Sequence, residues 1–67
     1  MTVTVNGKPT NLDGPRKVSE FVESLGIDLR LVAVAHNGDV LPKQSLSTAI
    51  VRDGDTLEIV RMVGGGA

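Results

Sequence analysis

Val18-Ser19-Glu20-Phe21-Val22-Glu23-Ser24-Leu25 is the stretch on which the fold turns. Val18, Phe21, Val22 and Leu25 stand at i, i+3, i+4 and i+7, one apolar stripe of helical period, while Ser19, Glu20, Glu23 and Ser24 face water. Gly26 is placed to end the helix in the left-handed conformation. Its start is open: Lys17 is a poor cap, and Pro15 could be the first helical residue. A helix with a single apolar stripe needs one sheet face to cover, so the segments on either side decide the architecture.

On the N-terminal side, Thr2-Val3-Thr4-Val5 alternates polar and apolar residues, the period of a half-buried strand with Val3 and Val5 inward. Asn6-Gly7 is a hairpin turn signal, because both residues tolerate positive φ. The return strand, about Lys8 to Asp13, carries Pro9, which has no N–H for a ladder and belongs at a sheet edge. Asp13-Gly14-Pro15 then breaks the pattern. On the C-terminal side, Leu31-Val32-Ala33-Val34-Ala35 is a short continuous apolar run, expected to be a strand covered on most of both sides. Asn37-Gly38-Asp39 turns it toward a short partner at Val40-Leu41, ahead of Pro42. Ser45 to Ile50 is expected to be irregular or a single turn. Asp53-Gly54-Asp55 is a further turn, and Thr56 to Met62 is the last strand. There Leu57 and Ile59 share one face, and Glu58, Val60 and Met62 the other.

The order strand, strand, helix, strand, short strand, strand is an α+β two-layer solution. It predicts a β-grasp roll: a mixed sheet of four to five strands with one helix packed on one face, the first and last strands side by side and parallel in the middle. Residues 1–63 form this domain, and 64–67 a flexible C-terminal glycine tail.

Sixty-seven residues make one domain near the lower size limit for a single apolar core, with no room for a deep active site. Phe21 is the only aromatic residue, so the core must be aliphatic. Seven basic and eight acidic residues are interspersed, giving a net charge of -1 and no basic stripe for nucleic acid. No apolar run approaches the roughly 20 residues of a membrane span, and the N-terminus lacks a signal-peptide pattern, which points to the cytoplasm. The absence of cysteine excludes disulfides, thiolate metal sites and a thiol nucleophile. With His36 as the single imidazole and no Gly-x-Ser-x-Gly turn, an independent enzyme is not expected.

The last strand runs into Met62-Val63-Gly64-Gly65-Gly66-Ala67. Four extended residues reach roughly 13 Å. Glycine lacks a Cβ, so such a tail can enter a channel too narrow for other residues. An unstructured terminus is the plain alternative.

The run Val51-Arg52-Asp53-Gly54-Asp55-Thr56-Leu57-Glu58-Ile59-Val60, followed by Arg61-Met62-Val63-Gly64-Gly65-Gly66, resembles the C-terminal signature of the ubiquitin-like sulfur carriers. It is most similar to the ThiS family of thiamine biosynthesis. The similarity extends to Asn6-Gly7, the helix Val18 to Leu25, the segment Val32 to Asn37 and the total length. The resemblance implies that Gly66, with Gly65 and Gly64 as the tail, is the functional end. Its carboxylate would be adenylated by an E1-like adenylyltransferase of the ThiF/MoeB type, which uses ATP, and then converted to a thiocarboxylate. A sulfur donor protein supplies the sulfur, and a thiazole synthase of the ThiG type receives it. The carrier is then a protein co-substrate with no bound cofactor or metal. The same chemistry could serve molybdopterin, cysteine or secondary-metabolite synthesis, and a non-covalent β-grasp interaction module is the reading from another class. The family pattern ends at the last glycine, whereas Ala67 follows here: either a protease removes Ala67, or it is a cloning remnant, or the protein as written is inactive. The family's usual threonine before the helix is Lys17 in this chain.

Val60 and Met62, facing away from the helix, leave an apolar strip beside the tail. With Arg61 and Val63 they are the candidate docking residues, although scattered surface hydrophobes are also normal. Arg61 and Arg52 could steer an acidic partner or simply be solvated. His36 is expected to be a hydrogen-bonded loop residue. Asp53-Gly54-Asp55 has too few oxygen ligands for calcium and reads as a turn. Nothing marks Lys8, Lys17 or Lys43 as a conjugation site.

Overall fold

Asn6 and Gly7 adopt φ of 50° and 82°, the left-handed pair a two-residue turn requires. They fold strand β1 (Thr2–Val5) back on β2 (Lys8–Asn11), with Thr4 opposite Pro9. The computed structural model describes residues 1–62, and residues 63–67 lie outside the described residues. Short strand β3 (Arg16–Lys17) leads into helix α1 (Val18–Ser24). A single 3-10 turn at Leu29–Leu31 precedes β4 (Val32–His36) and β5 (Asp39–Val40). A second turn at Lys43–Ser45, then β6 (Ile50–Val51) and β7 (Thr56–Arg61), complete the order.

The main sheet runs β2-β1-β7-β4-β5. Strand β7 sits in the centre, parallel to β1 and antiparallel to β4. The fold is therefore the expected α+β β-grasp roll, with Pro9 on an edge strand where its missing N–H costs no ladder bond. Helix α1 covers one face. Phe21 from the helix and Leu57 from β7 are the largest fully buried side chains of the core, packed with Val3, Val18, Val22, Val34 and Val51. Among the described residues no helix is long and apolar enough to cross a membrane.

Several local expectations are corrected. Asp13-Gly14-Pro15 is the break read from the sequence, but between it and the helix Arg16–Lys17 form β3, which pairs with β6 in a separate two-stranded ladder. Lys17 provides no side-chain cap. Instead the amides of Val18 and Ser19 donate to the carbonyls of Ala49 (2.9 Å) and Leu46 (2.8 Å). The stretch that reads as irregular, Ser45 to Ile50, is thus the cap of α1, and it carries Leu46 into the core. Leu25 falls at the helix end and is 41% exposed, so the apolar stripe ends at Val22. Gly26 follows at φ 81°, as a helix-ending glycine should. Leu31 lies in the preceding turn rather than in β4, and it is 45% exposed. Only the Val32 and Val34 face of β4 is buried, and Ala33 and Ala35 are half-buried on the open side. The continuous apolar run came from small alanines, not from a second covering layer. His36 is the last residue of β4 and not a loop residue.

Candidate functional site

Strand β7 passes from interior to surface along its length. Along its helix-facing side Leu57 is fully buried, Ile59 half-buried and Arg61 exposed. The cause is positional: helix α1 is seven residues long and covers only the part of the sheet beneath it. Its distal end is still held. The Met62 amide donates to the Leu31 carbonyl at 2.8 Å, one step beyond the Val32 to Arg61 pair. On the other side the backbone pairing of β1 stops at Val5 and Leu57, and the Asn6 carboxamide takes over. Its Oδ1 accepts from the Ile59 amide at 2.8 Å, and its Nδ2 donates to the Ile59 carbonyl at 3.2 Å. A turn residue thereby continues the ladder with its side chain.

Alternation along β7 sorts the candidate residues into two sets. Val60, opposite Ala33, points to the open sheet face, and Met62, 45% exposed, continues that parity. Val40 joins them, since it pairs with Ala35 and is 73% exposed. The open face therefore carries Val60, Met62 and Val40 around Ala33 and Ala35, with Glu58 in the cross-strand row of Ala35 and Val40. Val40 was not singled out in the sequence, because its place in one row with Ala35 and Glu58 depends on the register of β4 with both its neighbours. Arg61 shares the parity of Leu57 and Ile59 and stands on the helix side. There Ile27, Leu31 and Ile59 line a groove of about 330 Å³ at the end of the domain, with Asn6, Asp28 and Arg61 around it. Asp28 is held down to about 2 by hydrogen bonds from the Arg30 side chain and the Arg30 backbone amide.

The remaining singled-out side chains lie at the other end of β7. Thr56 to Arg61 is five rises, about 17 Å, so Arg52 and Arg61 do not act together. His36 Nε2 lies 2.7 Å from Asp55 Oδ2. Asp55 also accepts from the Arg52 amide (2.9 Å) and from Asn37 Nδ2 (3.2 Å). Burial raises the Asp55 pKa, but the hydrogen bonds from His36, the Arg52 amide and Asn37 outweigh it and leave the carboxyl below its ordinary range. Asp53 accepts from the Thr2 amide at 2.8 Å. Asp53-Gly54-Asp55 is thus a turn whose carboxylates are taken up by the fold. Among the described residues no third metal-ligating side chain joins His36 and Asp55. Val63, Gly64, Gly65 and Gly66 lie outside the described residues, as do Ala67 and the boundary expected at 63/64.

A β-grasp roll with one helix on a five-stranded mixed sheet, its central strand β7 ending at an exposed rim, defines the class: a small ubiquitin-like domain. The model of the ThiS family matches residues 3–66. The chain is 34% identical over 64 residues to the sulfur carrier protein ThiS of Thermus thermophilus, covering 96% of this chain and 98% of that one. It is 40% identical over 67 residues to a thiazole synthase of Paramagnetospirillum magneticum, covering all of this chain but only 21% of that protein. The crystal structure of the thiamine biosynthesis protein ThiS from Geobacter metallireducens superposes with a TM-score of 0.87 at 38% identity, over 98% of this chain and 100% of that one. The chain belongs to the ThiS family, the ThiS-like sulfur carriers.

Proposed function

We propose that this protein carries sulfur for thiamine biosynthesis as a thiocarboxylate on Gly66, and that a thiazole synthase consumes it. The observation that carries the reading is the reach of the family match, which runs through the glycines to residue 66. The relationship to a thiazole synthase with a region like this chain supports the choice of acceptor. The chain itself contains no thiol on which sulfur could be held.

A carboxylate is a poor electrophile, so it must first gain a leaving group. In the proposed sequence a Gly66 carboxylate oxygen attacks the α-phosphorus of ATP, and pyrophosphate departs. Hydrosulfide released by the donor then attacks the carbonyl carbon; the carbon–oxygen bond to AMP breaks, AMP departs, and the resulting thioacid loses its proton to leave the thiocarboxylate. An adenylyltransferase of the ThiF/MoeB type supplies the catalysis, and the carrier supplies a narrow, extended end. Chemistry at Gly66 requires a free carboxylate there, so removal of Ala67 by a protease is part of the proposal.

The test is an intact mass. Protein ending at Gly66 is incubated with an adenylyltransferase of this type, ATP and a sulfur donor, and the mass should rise by one exchange of oxygen for sulfur. The form ending at Ala67 should stay unchanged. Conversion of both forms would remove the need for trimming. No conversion by an enzyme competent on its own carrier would leave a non-covalent interaction module.

A further inference from the structure

The groove at the end of the domain is the feature that the tail chemistry leaves without a role. At about 330 Å³ it has room for one or two side chains and sits at the bottom of the range of small-molecule pockets, roughly 300–1,000 Å³. Its floor of Ile27, Leu31 and Ile59 is apolar, and Leu31 is 45% exposed despite its position. Two charges stand on the rim, and they are not equivalent. Asp28 is engaged by Arg30, through Nε at 3.1 Å and Nη2 at 2.9 Å. Arg61 is exposed and makes no salt bridge among the described residues. The groove therefore presents an apolar floor with one uncommitted positive charge.

We propose that this groove is a second docking surface for the adenylating partner: it takes an apolar side chain on Ile27, Leu31 and Ile59, with a carboxylate of the same partner segment on Arg61. The proposal rests on the sulfur-carrier reading above. Two arguments select this occupant. Charge complementarity asks for an acidic residue, because the free charge on the rim is positive. Continuity asks for the partner that handles the tail, because the groove adjoins the point where the Met62 amide is tied to the Leu31 carbonyl. Residues of an extended strand alternate between faces, so a protein that encloses β7 on its way to the terminus meets Val60 and Met62 on one side and Ile59 and Arg61 on the other. Contact with the open face alone would leave half of the strand ungripped.

The experiment measures steady-state adenylation of protein ending at Gly66. Arg61→Glu should raise KM about tenfold with kcat within about twofold, and Arg61→Lys should recover most of the loss. Leu31→Ala removes floor area from a partly exposed position without opening the core, and it too should raise KM several-fold. Raising the salt concentration should shrink the Arg61→Glu effect and leave the Leu31→Ala effect in place. Lys8→Glu, a reversal of the same charge on the edge strand β2, should have no effect. Far-UV circular dichroism and thermal melting of each variant establish that it is folded. Wild-type KM in both Arg61→Glu and Leu31→Ala would overturn the proposal while leaving the carrier function intact. So would NMR shifts at Ile27 and Asp28 when residues 63–67 are deleted from the isolated protein, because the groove would then hold the chain's own end. Failure of the unmodified protein to be adenylated would overturn the carrier reading and the docking surface together.

Discussion

Replacing Asn6 tests how the outer half of the central strand is held. Its carboxamide makes two hydrogen bonds to Ile59, at 2.8 Å and 3.2 Å, and it does so from a backbone φ of 50°. Asn6 is exposed, so water competes for these bonds and each contributes toward the low end of the net range, about 0.5–1 kcal/mol. Asn6→Gly tolerates the positive φ and removes only the bonds, so it should cost about 1–2 kcal/mol. Asn6→Ala keeps the Cβ but loses the polar side chain that lets asparagine occupy the left-handed region, about another 1 kcal/mol. A domain of 67 residues has a total stability of about 3–10 kcal/mol, so both losses are measurable by urea unfolding followed by circular dichroism. Hydrogen exchange supplies the local readout: the Ile59 amide should exchange faster in Asn6→Gly, while the Leu57 amide keeps its protection. Unchanged exchange at Ile59 together with a midpoint equal to wild type would show that the side chain does not hold the strand.

Phe21→Ala empties the centre of an almost wholly aliphatic core and should cost about 3–5 kcal/mol, comparable with what a core of this size supplies; loss of cooperative thermal unfolding is the expected result, and a melting temperature within a few degrees of wild type would contradict it. Asp55 contributes stability of acid-sensitive sign: its folded pKa is depressed, so the contribution is complete well above the ordinary carboxylate value of 3.8 and is lost as pH falls through and below it. The urea midpoint of Asp55→Asn should therefore depend less steeply on pH in that acidic window than that of wild type, and parallel curves would refute the assignment. Lys17→Ser puts a capping oxygen where the backbone is already extended and where Glu20 stands at the third helical position, so the variant should gain about 0.5–1 kcal/mol. A lower urea midpoint would mean that the carbonyls of Leu46 and Ala49 leave nothing to cap.

The features legible in the sequence are those whose cause is local. Asn6-Gly7 fixed a hairpin because its geometry depends on two adjacent residues. Pro9 marked an edge strand because a missing N–H excludes the centre of a sheet. Val18, Phe21 and Val22 marked the buried face of the one helix. What escaped depends on residues distant in sequence. Nothing in Ser45 to Ile50 reveals that its carbonyls cap a helix nearly thirty residues earlier, because a backbone acceptor has no side-chain signature. The run Leu31 to Ala35 was ambiguous because alanine is compatible with either a covered or an open face. The Val60 and Met62 side of the last strand followed from alternation alone, whereas Val40 and the groove beneath Arg61 required the register of neighbouring strands.

Strand β7 combines two demands that conflict at any single residue, and the fold separates them along its length. On the carrier function proposed above, a strand that presents a terminus must be fixed in direction, which calls for burial between two neighbours; a surface that a partner can reach must be exposed. Thr56 to Leu57 meets the first demand through β1 on one side and β4 on the other, with Leu57 fully buried. Val60 to Met62 meets the second, since Val60 and Met62 lie on the uncovered sheet face and Arg61 lies past the part of the sheet that α1 covers. Ile59 is the point of exchange, half-buried and held by a side chain rather than by a continued β1. It follows that substitutions on either side of Ile59 belong to different classes. Those at Leu57 or its core neighbours should act on the folded population, and, on the proposed docking role, those at Val60, Arg61 or Met62 should act on the affinity of a domain that remains folded. Asn6 alone touches both, because its carboxamide stands where the buried part of the strand gives way to the part that is offered.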